Sequence, residues 1–184
     1  MHHNELWQEF DQSGEPINNG GRNPKLGNPD FGESVYTSVA IVWLYRKTKD
    51  DIEVLFQKRS EKVDRFAGKW DIAAGGHINY GEPVLDAAVR EAREEIGAII
   101  KKENLQLVVI TPSLFANNIL REFIYDYTGC PDDFHFDDEE VSEVKWVKMT
   151  DFDRFIDKNA KQPLKEDLEI RALIKNHILA HGNH

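Results

Sequence analysis

Apolar positions fall in short runs through the middle of the chain and at helical spacing around and after them. Val35 to Arg46, rich in β-branched and aromatic residues, predicts a strand. Lys47 to Asp51 is a polar turn, and Ile52-Glu53-Val54-Leu55-Phe56 predicts its hairpin partner. After a charged loop from Ser60 to Lys69, Trp70 to Ala74 predicts a short strand entering a glycine turn at Gly75-Gly76. Pro83 to Ile96 has helical periodicity, while Leu105 to Ile110, Ile119 to Tyr127 and Val141 to Val147 predict further strands. Thr150 to Ile156 predicts a short helix capped by Thr150. Pro163 to Ala180 predicts a longer one, with Leu164, Leu168, Leu173, Ile174 and Ile178 near one face. Strands in the middle and helices beside them predict a mixed α+β sandwich. Residues 1–34 differ. They are polar and turn-rich, with an amphipathic Leu6 to Phe10, a turn at Asp11 to Gly14 and loop at Asn18-Asn19-Gly20-Gly21 and Asn28-Pro29. They predict an N-terminal arm on a domain spanning 35–184, C-terminal helix included.

Length and charge narrow the functions. At 184 residues the chain suits one domain with an appended arm. Thirty-three acids against 23 lysines and arginines give a net charge of −10, which argues against nonspecific nucleic-acid binding. An anionic substrate would then need something to offset the repulsion. The one cysteine, Cys130, excludes an internal disulfide framework and a multi-cysteine zinc site. It reads as a bystander in a loop. With no basic-then-apolar N-terminal pattern, it fits a cytoplasmic location. The longest apolar run, Val39 to Leu44, is strand-sized, so no membrane span is expected.

One segment conflicts with ordinary helix chemistry. Leu85, Ala88, Val89, Ala92 and Ile96 form a narrow apolar stripe on the Pro83–Ile96 helix. At about 100° per residue, Glu91 and Glu95 lie about 40° apart beside that stripe, with Glu94 about 60° further round. Like charges four residues apart repel, and anions near a helix C-terminus oppose its dipole. Arg90 can pair with Asp86 and Glu94, which leaves the other acids poorly compensated. A solvated acidic face is the plain alternative. A hard divalent cation, which takes oxygen ligands, resolves the conflict instead.

The stretch from Gly76 to Ala98 resembles the Nudix box, G-x5-E-x7-R-E-U-x-E-E-x-G-U with U a bulky aliphatic. Gly76, Glu82, Arg90, Glu91, Glu94, Glu95 and Gly97 match at every spacing, while the smaller Ala92 and Ala98 stand at the U positions. The flanking strands and Val144-Lys145-Trp146-Val147 extend the likeness to residues 35–157. The resemblance implies an α/β/α sandwich around a mixed sheet. It also implies Mg²⁺- or Mn²⁺-dependent hydrolysis of a nucleoside diphosphate linked to another moiety, a small-molecule diphosphate substrate. Carried over, Glu91, Glu94 and Glu95 bind metal, with the Gly76 carbonyl as a further ligand. Glu82 and Arg90 hold loop and helix together, and Gly97 ends the helix. Bound metal would also neutralise the substrate's charge. For the general base the candidates are a box glutamate, Glu91 or Glu94, or an acid outside the box. From Asp132 to Glu143 there are seven acids and no lysine or arginine. Most read as a solvated loop, and Glu140, beside the Val141 strand, is the choice among them.

Lys58, Arg59 and His77 are candidates for touching phosphate or substrate. Trp70, Phe66 and Phe115 are candidates for stacking, although such residues more often belong to a core. Phe10 to Gly14 and Trp70 to His77 also look similar to isopentenyl diphosphate isomerase. That branch carries a catalytic cysteine directly before its Gly-His pair, where this chain has Gly75. A non-catalytic binding module is the other rival, disfavoured because every box glutamate is kept. The arm and the 163–180 helix are the segments available to shape a pocket or a homodimer interface.

Overall fold

The computed structural model describes residues 6–17, 36–113, 117–136 and 139–182. Val35, Phe115, Asp137, Asp138 and the loops expected at 18–21 and 28–29 lie outside the described residues. The strands are β1 (Glu9–Phe10), β2 (Tyr36–Lys47), β3 (Ile52–Arg59), β4 (Trp70–Ile72), β5 (Ala74–His77), β6 (Gln106–Pro112), β7 (Asn118–Asp126) and β8 (Val141–Lys148). The helices are α1 (Val84–Ile96), α2 (Phe152–Asn159), α3 (Gln162–Glu166) and α4 (Leu168–Gly182). No helix among the described residues is long and apolar enough to cross a membrane.

The strands form one mixed sheet ordered β4-β3-β2-β7-β6, with β1 and β5 also on β2 and β8 on β3. The β2–β7 pair is parallel and the others are antiparallel. β2 reads as an unbroken apolar run because both faces are covered. Ala40, Val42 and Leu44 pack with Ala88, Ala92 and Ile96 of α1. Ile41, Trp43 and Tyr45 pack with Phe152, Ile156, Ile174 and Ile178 of α2 and α4. The result is the expected α/β/α sandwich.

Pro83, in extended conformation, precedes α1, and Gly97 follows it at φ 69°. That left-handed turn sends the Gly97 and Ala98 N–H groups back to the carbonyls of Arg93 and Ala92. Several expectations need correction. Leu85 is exposed, and the buried side of α1 instead carries Ala87 and Glu95. Gly75 and Gly76 are not a turn but part of strand β5. Thr150 does not cap α2; its hydroxyl donates to Asp51, and a 3₁₀ turn, Met149–Asp151, leads into the helix.

The single helix expected at 163–180 is two. Asp167 leaves helical geometry (ψ 71°) and its carboxylate accepts the Ile170 N–H, starting α4 afresh. The break rotates the apolar face, so Leu168 and Leu173 are exposed while Ile170 and Arg171 are buried. Arg171 ties α4 to α2 through Asp153 and Asp157, at 3.1 and 2.8 Å.

Candidate active site

β2 and β3 pair only from Tyr45↔Val54 to Lys47↔Ile52, and then diverge. β4 adds to β3 and β5 adds to β2, with only Ala73 between them in sequence. The sheet is therefore slit beside α1. Glu95 enters the slit and bonds to both sides, accepting from Gln57 Nε2 on β3 (2.7 Å) and from the Gly75 N–H on β5 (3.1 Å). Burial, and then the charges of Glu91 and Asp71, push its carboxyl up to about 8; the two hydrogen bonds offset part of that.

Arg90 organises the rest of the cluster. It grips Glu82 with Nε and Nη2 (2.8 and 3.0 Å). Nη1 reaches Glu91 and Glu94 (2.7 and 3.0 Å), and Nη2 also donates to the His77 carbonyl (3.0 Å). Burial works against its charge, but the bonds to Glu82, Glu91 and Glu94 outweigh it and hold the guanidinium above its ordinary value. The expected Arg90–Asp86 pair is not made; Asp86 pairs with Lys102 at 2.7 Å. Glu82 also accepts the Asn79 N–H (2.9 Å), which fixes the loop between β5 and α1. A side chain at Gly76 would collide with the Glu91 carboxylate, so glycine leaves that carboxylate room to stand against the strand. Six expected residues, Gly76, Glu82, Arg90, Glu91, Glu94 and Glu95, thus converge. Among the described residues no three His, Cys, Asp or Glu side chains stand ready as a cage, since Arg90 draws Glu91 and Glu94 to itself.

A cavity of about 360 Å³ opens on the α2–α4 face of the sheet, beside the slit. Of the residues expected to touch substrate, Arg59, Phe66 and His77 line it, and so does Arg65; Lys58 does not. His77 contributes no charge: burial lowers its imidazole to about 4, against a hydrogen bond to Asn118, and its ring stacks on Trp7 at 3.5 Å. Trp70 packs on Phe155 in the core. Glu140 is exposed, and its carbonyl accepts the Ser60 N–H where the loop between β3 and β4 begins. Cys130, half-buried, is not among the lining residues.

The sequence reading missed the cavity's polar floor. Trp43 Nε1 donates to Glu122 Oε2 at 2.6 Å, and Lys161 pairs with Asp71 at 2.6 Å. A charged pair, Arg121-Glu122, interrupting an apolar strand was the available signal. Burial raises the Glu122 carboxyl from 4.5 to about 7; Trp43's bond opposes that, Asp167 adds to it, Lys161 opposes it and Asp71 adds again. The folded state therefore holds a proton that the unfolded state releases, and stability falls as pH rises from about 4.5 through about 7. Glu122→Gln keeps an acceptor for Trp43 and does not titrate. Its melting temperature is expected to exceed the parent's at pH 8 by the equivalent of at most about 3 kcal/mol, with the gain vanishing near pH 4.5. Calorimetry at the two pH values checks this; an equal change at both would refute it.

A mixed sheet between helical layers, slit by an acid-bearing helix that a glycine strand abuts, defines the α/β/α sandwich class with a box-type site. The family model of the NUDIX domain matches residues 35–168, and the chain belongs to that family. Nudix hydrolase 3 of Arabidopsis thaliana is 32% identical over 133 residues, 67% of this chain and 17% of that protein. The chain thus spans about a sixth of that relative's length. Isopentenyl-diphosphate Delta-isomerase of Aliivibrio fischeri is 31% identical over 124 residues, 64% of this chain and 68% of the isomerase. A crystal structure from Deinococcus radiodurans shares the fold with a TM-score of 0.68 at 18% identity, covering 92% of this chain and 99% of the other.

Proposed function

We propose that this protein hydrolyses the diphosphate bond of a nucleoside diphosphate linked to another moiety, with Mg²⁺ or Mn²⁺ held by Glu91, Glu94, Glu95 and the Gly76 carbonyl. One observation carries the reading: three carboxylates, Glu82, Glu91 and Glu94, share a single guanidinium beside a slit in the sheet that a fourth acid, Glu95, enters. Their charge exceeds what Arg90 neutralises. The donors are all oxygen, and Gly76 leaves no side chain between its backbone and Glu91, so the residues fit a hard cation. When bound, such an ion supplies a charge clamp on the diphosphate and an acidified water.

The chain's own residues do the rest. Glu82 anchors Arg90, and Arg90 orients Glu91 and Glu94. Of the three acids on Arg90, Glu94 is the most open, with its side chain 33% exposed against 17% and 13% for Glu82 and Glu91. We assign it, with Glu140 as the acid outside the box, to accept the proton of the attacking water. Arg59 and Arg65 line the cavity and would meet the substrate's phosphates there. An isomerase role lacks its thiol: Gly75 has no side chain, and its N–H is spent on Glu95.

Product release from a panel of nucleotide sugars, ADP-ribose, dinucleotides, nucleoside triphosphates and isopentenyl diphosphate, with Mg²⁺, Mn²⁺ or EDTA, tests the reading. Cleavage of one class that stops in EDTA is expected. Folded protein that cleaves nothing, or cleaves equally well in EDTA, would overturn it.

A further inference from the structure

Three acids line the cavity, and they are not equivalent. Asp71 is paired with Lys161 and accepts the Ile72 N–H. Asp167 is spent on the start of α4. Glu122 is 3% exposed, and among the described residues its one hydrogen-bond donor is Trp43 Nε1, on Oε2. A buried carboxylate with an acceptor oxygen left over is costly unless a ligand uses it.

The surroundings say what kind of ligand. Val39, Ile41, Leu120 and Leu164 give apolar walls, and Phe66 adds an aromatic one. Phe66 is held at φ 55°, a left-handed conformation unusual for a bulky residue, at the tip of the loop that brings Arg65 to the rim. Strained residues of this kind cluster at ligand clamps. The volume lies at the small end of ligand pockets. Asp71, which lines the cavity, acts electrostatically on Glu95, so the chamber adjoins the box.

We propose that this chamber seats the nucleobase of the substrate and that Glu122 is its specificity-determining residue, accepting a hydrogen bond from an exocyclic amino group. The inference rests on the diphosphate hydrolase reading and names the part of the substrate that reading leaves open. Trp43 fixes the chemistry at the floor. Its N–H needs an oxygen, so in Glu122→Gln the amide oxygen turns to Trp43 and the NH₂ turns to the chamber. The floor then donates where it had accepted.

The test is calorimetric binding of ADP against IDP, and of CDP against UDP, in Mg²⁺ at pH 8.5. Each pair exchanges an exocyclic amino donor for a keto acceptor, with a proton added on the neighbouring ring nitrogen. The parent protein is expected to bind the amino partner of at least one pair about ten times or more the tighter, the effect of leaving one buried polar group unpaired. Glu122→Gln is expected to reverse that preference. A parent that binds none of the four, or binds amino and keto partners alike, overturns the proposal. So does a preference that survives Glu122→Gln. Turnover is scored separately: an amino preference without metal-dependent cleavage would sink the hydrolase reading and leave the chamber's role standing, and cleavage without the preference would do the reverse.

Discussion

Glu95→Gln is expected to lower metal-dependent hydrolysis by about two to three orders of magnitude, a loss on the scale of removing one preorganised electrostatic group from an active site. The fold should persist, because the glutamine oxygen can still accept from both Gln57 and the Gly75 N–H, the two bonds that span the slit. The change replaces one candidate ligand oxygen with an amide nitrogen that cannot bind a hard cation, and does little else. Glu94→Gln, on the open side of the helix, is expected to lose rate to a similar degree without touching the slit. Steady-state rates with Mg²⁺ or Mn²⁺, beside circular dichroism and melting curves, separate the outcomes. If both variants kept the parent rate, the ligand assignment would be wrong.

The largest stability effect belongs to Arg90. Arg90→Ala leaves Glu82, Glu91 and Glu94 half-buried without their shared cation, and is expected to cost about 3–5 kcal/mol. Arg90→Lys should recover little of it. Three guanidinium nitrogens serve five acceptor contacts in fixed directions, including both oxygens of Glu82 and the His77 carbonyl, and one ammonium cannot reproduce that fork. Denaturant unfolding of both variants decides the point. A lysine variant as stable as the parent would show that charge alone matters there. Saturating Mg²⁺ should restore part of the alanine variant's stability, since a ligand that binds the folded state stabilises it by mass action.

The box was legible in the sequence because its chemistry is local. Glu82, Arg90, Glu91 and Glu94 lie within thirteen positions on one loop and one helix, and helical spacing alone places them together. The strand pattern carried most of the sheet for the same reason. The chamber was not legible, because its floor is assembled from distant segments. Trp43 meets Glu122 across 79 positions, and Asp71 meets Lys161 across the divide between a strand and the helical layer. Periodicity reports which side of a strand faces inward, but β7 is covered on both sides, so Glu122 carries no periodic mark. The 163–180 segment failed for another reason: Asp167 looked like one more helix residue, and only its bond to Ile170 marks a second start.

The parallel pairing of β2 with β7 also bears on how the molecule is made. Thr37 faces Asn118 and Tyr45 faces Asp126, partners some eighty positions apart. β3, β4, β5 and α1, and with them the whole box, lie inside the loop that this pairing closes. Closing a loop of that length is entropically slow, and chains dominated by such contacts fold slowly. β5 can add to β2 early, but Glu122 reaches Trp43 only once β7 docks. The nucleobase chamber is therefore expected to be the last part of the site to mature, and ligand affinity during refolding should appear with the slowest phase rather than ahead of it.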